Sequence, residues 1–196
     1  MGKKVVWLVL LVLLAVGLIS IAGSQEKNKV NSSTVTMEKR GQYLVTLGGC
    51  NDCHSPKVMT EKGPQPDETR LLSGHPSNET LPVTPPGLFG PKGWGALTNN
   101  GLTAWVGGWG TSFAYNLTPD NNTGIGSWTA DIFIRAMRTG KHMGAGRQIL
   151  PPMPWYTIGM SSDEDLKAIF AYLKSLPPVS NQVPQPIPPT EGKGKP

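Results

Sequence analysis

Cys50-Asn51-Asp52-Cys53-His54 is the stretch on which the reading of this chain turns. It contains both cysteines of the sequence, separated by two residues, with a histidine directly after the second. Two thiols at this spacing can add to the two vinyl groups of one haem, and the adjacent imidazole then lies beneath the iron as proximal ligand. Competing uses of the pair fit less well. A thioredoxin-like redox pair wants a βαβ context, whereas the flanking chain is rich in Gly and Pro. A zinc site needs two further good ligands, and the histidines outside the motif are His75 and His142. A plain structural disulfide leaves the histidine unexplained. The motif implies one covalent haem c held by Cys50, Cys53 and His54.

The sixth iron position is open to a methionine sulfur, a second histidine or no protein ligand. Met153 sits in Leu150-Pro151-Pro152-Met153-Pro154-Trp155. Proline on both sides fixes the backbone and removes competing amide donors, so a thioether there is held at a set point. A soft sulfur ligand raises the potential of haem iron and favours electron transfer over oxygen chemistry. His142 and Met143 are the alternatives, in a Lys-His-Met-Gly turn. Met137 reads as core filler and His75 as a loop residue. Trp128 and Trp155 are candidates to line a haem crevice, with an indole N–H available for a propionate.

Outward from the motif, a first helix is expected from about Thr36 to Leu47, broken at Gly48-Gly49. A second is expected over Ala130 to Thr139, with Thr129 as its cap, Asp131 in the first turn and Gly140 as its stop. In the last helix Ser161 and Glu164 form a capping box, and Leu166, Ile169, Phe170 and Leu173 repeat at helical spacing before Pro177-Pro178. From Ser55 to about Ser127 nothing is periodic, although short strands or single helical turns are compatible with that stretch. Residues 179–196 read as a Pro-rich tail, flexible or polyproline in character.

Composition sets the frame. The 24 Gly and 19 Pro among 196 residues demand long irregular stretches, and a domain of this kind usually needs a disulfide, metal or cofactor. The formal net charge is +5, and Lys3 and Lys4 account for two of it. No basic cluster with interleaved aromatics is present, which gives no reason to expect a nucleic-acid partner. Lys3-Lys4 precede an uncharged apolar run from Val5 to Ala22, and Ala22-Gly23-Ser24 offers small residues for cleavage. The run suits export, either as a cleaved signal or as a retained membrane anchor. The expected divisions are 1–24 for signal or anchor, 25–35 for a linker, 36–178 for the haem domain and 179–196 for the tail.

These motifs carry a resemblance. Gly41-Gln42-Tyr43-Leu44 followed by Cys50-Asn51-Asp52-Cys53-His54 resembles the start of class I cytochrome c domains. Asn116-Leu117-Thr118-Pro119-Asp120, continued through Thr123-Gly124-Ile125-Gly126-Ser127-Trp128-Thr129 to Arg135-Ala136-Met137-Arg138-Thr139-Gly140, is similar to the cytochrome c subunits of membrane-bound alcohol and gluconate dehydrogenases. So are Pro152-Met153-Pro154 and Ser162-Asp163-Glu164-Asp165-Leu166. The resemblance covers residues 38–55 and 112–178. It implies Cys50 and Cys53 as haem attachment points, His54 as proximal and Met153 as distal ligand, a bacterial periplasmic setting, and a dehydrogenase or oxidase partner. Members of that type commonly carry three such haem domains. This chain has one Cys-x-x-Cys-His, and its stretch from Lys57 to about Gly108 is longer than the corresponding loop.

The expectation is an all-α class I cytochrome c fold, with three main helices and long loops around one haem and the first and last helices crossing. The expected function is single-electron transfer by an exported, soluble or anchored cytochrome between a dehydrogenase or other donor and a respiratory acceptor, with no catalytic residue of its own. The alternative is a haem enzyme or a gas or peroxide sensor with an open distal site.

Overall fold

The computed structural model describes residues 36–189. The expected signal or anchor, the linker and the last residues of the Pro-rich tail lie outside the described residues. Helix α1 covers residues 36–47 and stops where Gly48 N–H donates to the Leu44 carbonyl at 2.8 Å. Gly49, at φ 63, reverses the chain into the short helix α2, Cys50–His54. That left-handed backbone conformation suits a residue without a Cβ.

Helix α3 spans Ala130–Thr139. The Thr129 side chain accepts from Ile132 N–H at 3.2 Å, and Gly140 closes the helix at φ 66. A single turn, α4, covers Trp155–Ile158. Helix α5 spans Asp163–Ser175, and its cap is Ser162 rather than Ser161: the Ser162 hydroxyl accepts from Asp165 N–H at 3.1 Å. Three acidic residues fill its first turn and Lys174 its last, both favourable to the helix dipole.

α1 crosses α5 at Gly41, where a Cβ would run into the Ala168 carbonyl and Tyr172. Arg40 Nε pairs with Asp165 Oδ1 at 2.5 Å beside that crossing. α3 packs on α5 through Phe133 and Phe170, with ring centroids 5.6 Å apart. Val45, Ala136, Leu166 and Leu173 complete the centre of this core, all essentially inaccessible to solvent.

The all-α expectation is corrected. The described residues are 32% helix and 16% strand, with two antiparallel sheets, a mixed α/β architecture. Strands β1 (Lys57–Thr60) and β2 (Gly63–Pro66) form a hairpin, and β3 (Ala96–Thr98), β4 (Ala104–Gly107) and β5 (Gly110–Phe113) form a three-stranded meander. The β1–β2 and β4–β5 hairpins each turn through two residues, followed by a glycine in the positive-φ region: Gly63 at 89° and Gly110 at 95°. The strands are three or four residues long and carry Gly and Pro, so they offer no alternating pattern; their ladders are what hold them.

The Pro-rich segment is not free as far as Pro189. Asn116 Nδ2 donates to the Val179 carbonyl at 2.8 Å, and Val179 N–H donates to Thr118 Oγ1 at 3.1 Å. Asn181 Nδ2 bonds the Ser73 and His75 carbonyls at 2.7 and 2.9 Å. Ile187 exchanges both backbone hydrogen bonds with Thr111 of β5, at 2.8 and 3.0 Å. The segment therefore pairs with the free edge of the meander. Among the described residues no helix is long and apolar enough to cross a membrane.

Candidate functional site

α2 is the floor of the site. Its buried His54 places Nδ1 2.7 Å from the Tyr115 carbonyl. A carbonyl only accepts, so Nδ1 carries the proton and Nε2 keeps its lone pair for a metal. Burial also lowers the His54 pKa, with the Tyr115 bond opposing and Lys57 adding to the fall. The ring is thus held neutral, as a ligand requires. Its backbone is tied as well: Gly74 N–H donates to the His54 carbonyl at 2.7 Å.

Cys50 and Cys53 are free thiols beside it. Burial pushes the Cys50 thiol up to about 11, and burial followed by the Asp52 charge raises Cys53. Both are therefore protonated at neutral pH and remain uncharged sulfurs on an apolar wall.

Cys50, Cys53, His54 and Met153 all line one cavity of about 320 Å³. The rest of the lining is mainly apolar, with Ile125, Phe133, Met137 and Ile149 among it. Trp128 lines the cavity, as expected. Trp155 does not; its ring packs where a Cβ on Gly140 would stand. Met153 is half-buried against the core, whereas Met59, Met143 and Met160 are exposed. Ser112 Oγ donates to the Pro151 carbonyl at 2.5 Å and so ties the Met153 loop to β5.

His142, the other nitrogen candidate, also lines the cavity. Its ring stands edge-to-face against Tyr115 (4.9 Å) and Trp128 (5.2 Å). Its Nε2 is buried without a conventional partner, so aromatic faces are its surroundings. His75 is far from a loose loop residue: it is fully buried, with Nδ1 2.9 Å from Thr103 Oγ1. It does not line the cavity. Among the described residues no group of three or more His, Cys, Asp and Glu comes together, so the zinc reading gains no ligand set.

Sequence reasoning missed one whole wall. Trp105 and Phe113 of β4 and β5, Tyr115, and Pro186 of the C-terminal segment all face this cavity. Arg147 does so too, though its side chain is exposed, and no carboxylate pairs with it among the described residues. These residues lie in stretches with no periodicity, where sequence held no signal for them.

The donor set suits a haem: two thiols, an imidazole with Nδ1 engaged and a thioether share one apolar lining. Comparison with known proteins points the same way. The gluconate 2-dehydrogenase cytochrome c subunit of Pantoea cypripedii is 31% identical over 159 residues, which is 81% of this chain and 26% of that protein. The cytochrome c subunit of alcohol dehydrogenase (quinone) from Gluconobacter oxydans is 25% identical over 170 residues, 86% of this chain and 27% of that protein. The chain resembles the cytochrome c subunits of gluconate and alcohol dehydrogenases. A nicotinate dehydrogenase subunit from Pseudomonas putida is 35% identical over 130 residues, 54% of this chain and 11% of that protein. The chain thus spans about a quarter of the length of the two cytochrome subunits and about a tenth of the third relative. No family model matches.

Proposed function

We propose that this chain is a mono-haem c-type electron carrier, with thioether bonds to Cys50 and Cys53, His54 as proximal and Met153 as distal ligand. The observation that carries the reading is the convergence of those four side chains on one apolar cavity, with His54 Nδ1 already spent on the Tyr115 carbonyl. When bound, the haem supplies reversible one-electron chemistry at iron.

The chain's own residues do the rest. Tyr115 orients the imidazole, as outer hydrogen-bond partners do for metal-ligating histidines. Pro151, Pro152 and Pro154 hold the Met153 thioether in a fixed loop, and Ser112 ties that loop down. Trp105, Phe113, Phe133 and Ile125 exclude water, which favours the less charged, reduced state. None of these roles needs an acid, base or nucleophile.

The relatives' names support a redox partner of the dehydrogenase kind; on this reading the partner is met through a small transient interface, and a respiratory acceptor takes the electron on. Export to the periplasm, soluble or anchored by residues 1–24 and joined through 25–35, is the part of this reading supported by Lys3-Lys4 and the apolar run from Val5 to Ala22. The domain on this reading begins at about residue 36 and carries its haem within 36–178.

The test is the absorption spectrum of the purified, oxidised protein and of Met153→Ala. A weak far-red iron–sulfur charge-transfer band that disappears on substitution is the expected result. A wild-type protein that lacks the band and takes up carbon monoxide readily when reduced would replace this reading with the open-site enzyme or sensor.

A further inference from the structure

We propose that Lys57 positions the haem-attachment turn and, by its fixed positive charge, raises the reduction potential of the group bound there. The inference rests on the haem-binding reading above and assigns a role to a residue outside the attachment motif.

The geometry is specific. Lys57 opens β1, three residues after His54. Its Nζ donates to three main-chain oxygens: Asn51 at 3.1 Å, Asp52 at 2.9 Å and Ser55 at 2.6 Å. An ammonium has three protons, so its bonding capacity is filled. Two of these oxygens, of Asn51 and Asp52, lie in α2 and the third belongs to its C-cap residue Ser55, whose own N–H shares the Asn51 carbonyl at 3.3 Å. A five-residue helix leaves its last carbonyls without helical partners, and a cation is the favourable group at that end.

The lysine is itself held from outside the turn. Its Cα pairs across the hairpin with Pro66, and Asp67 N–H donates to the Pro56 carbonyl at 2.8 Å. On the inner side, Leu72 N–H donates to Ser55 Oγ, which in turn donates to Asn51 Oδ1, both at 2.8 Å. The β1–β2 hairpin, absent from the helical part of the fold, therefore delivers a charge to the back of the turn that carries His54.

A half-buried cation acts on its neighbourhood more strongly than one in bulk water. Reduction of a bound haem lowers its net charge by one, so a nearby positive charge favours the reduced state. Asp52, in the same turn, acts in the opposite direction, and it is the charged group that most supports the Lys57 ammonium against the cost of burial.

The experiment uses the haem-loaded full chain. Midpoint potential, far-red band and thermal midpoint are measured for wild type, Lys57→Gln, Lys57→Arg and Asp52→Asn. The expected result is a lower potential in Lys57→Gln with the far-red band retained, recovery of most of that loss in Lys57→Arg, and a higher potential in Asp52→Asn. Should Lys57→Gln fail to incorporate haem, Asp52→Asn decides: a raised potential supports the charge effect and an unchanged one overturns it. Equal potentials in wild type and Lys57→Gln, with only the thermal midpoint lowered, reduce Lys57 to a helix cap and overturn the proposal. A wild-type chain without covalent haem is a different failure, because it removes the function reading on which this one stands.

Discussion

His75 lies fully buried outside the cavity lined by His54 and Met153, with Nδ1 on Thr103 Oγ1, Nε2 unpartnered and its ring 4.9 Å from Phe113. Burial lowers its pKa, with Glu79 opposing. The sign of the consequence follows. As pH falls below about 6.5, the unfolded chain takes up the proton first, so the folded state loses stability from there down to the lower folded pKa. His75→Asn is expected to flatten the fall in thermal midpoint between about pH 8 and 5 without abolishing it, because burial lowers His142 as well. Thermal melts of the holoprotein across that range check this, and an unchanged slope counts against it. Gly140 is a second position at which a single residue carries a testable constraint. At φ 66 it closes α3, and a Cβ there would meet the Trp155 indole two residues from Met153. Gly140→Ala is expected to cost about 1–3 kcal/mol in chemical denaturation. It should also weaken the far-red band, since Trp155 must move; an intact band would show that the Met153 loop is held by Ser112 and the prolines alone.

At the scale of elements, the helices were readable because each declares itself locally. Thr129 and Gly140 bracket α3 where expected, and Leu166, Phe170 and Leu173 are the buried stripe of α5. Even there the cap slipped from Ser161 to Ser162, since adjacent serines present the same local signal and tertiary contact chooses. Arg138 chooses here: it bonds the Gly159 and Ser161 carbonyls and pairs with Asp163, which places the chain entering α5. The Cys50–His54 turn could be singled out for a chemical reason, since on the proposed reading the motif itself is the site. The meander was not. Gly110, Thr111, Ser112 and Phe113 become a strand because Ala104–Gly107 lies on one side and Ile187 on the other, a partner more than 70 residues away. The C-terminal segment was illegible for the same reason: its prolines say how it is extended but not what it lies on. Val183 is buried and Pro186 lines the cavity. Ending the chain after Pro178 is therefore expected to cost on the order of 3 kcal/mol from the buried valine and lost hydrogen bonds. It should also speed carbon monoxide binding to the reduced protein. Stopped-flow mixing and denaturant titration of the truncated holoprotein measure the two effects, and wild-type values for both would show that the segment only rests on the surface.

At the scale of the whole molecule, the question is how many redox centres one chain carries. A haem attached through both vinyl groups takes two thiols, and the sequence holds two cysteines, both on the lining of one cavity. The curated cytochrome subunits it resembles are about four times as long as the portion matched. One attachment site in this chain therefore predicts one iron per chain and a single-step potentiometric titration fitted by one one-electron wave. The cavity geometry adds a second expectation. Cys50 and Cys53 stand on the same turn as His54, so losing one thiol leaves the imidazole in place. Cys50→Ser is then expected to yield a protein with haem bonded through Cys53 alone. Its α-band would shift to longer wavelength because one vinyl group stays unreduced and conjugated with the ring. Cys50→Ser/Cys53→Ser together should leave no covalent haem after acid–acetone extraction. Iron analysis against protein concentration, with the extracted protein stained for haem, distinguishes these cases. A stoichiometry above one, or covalent haem surviving in the double variant, would mean that attachment does not run through this pair, and the single-centre reading would fall with it.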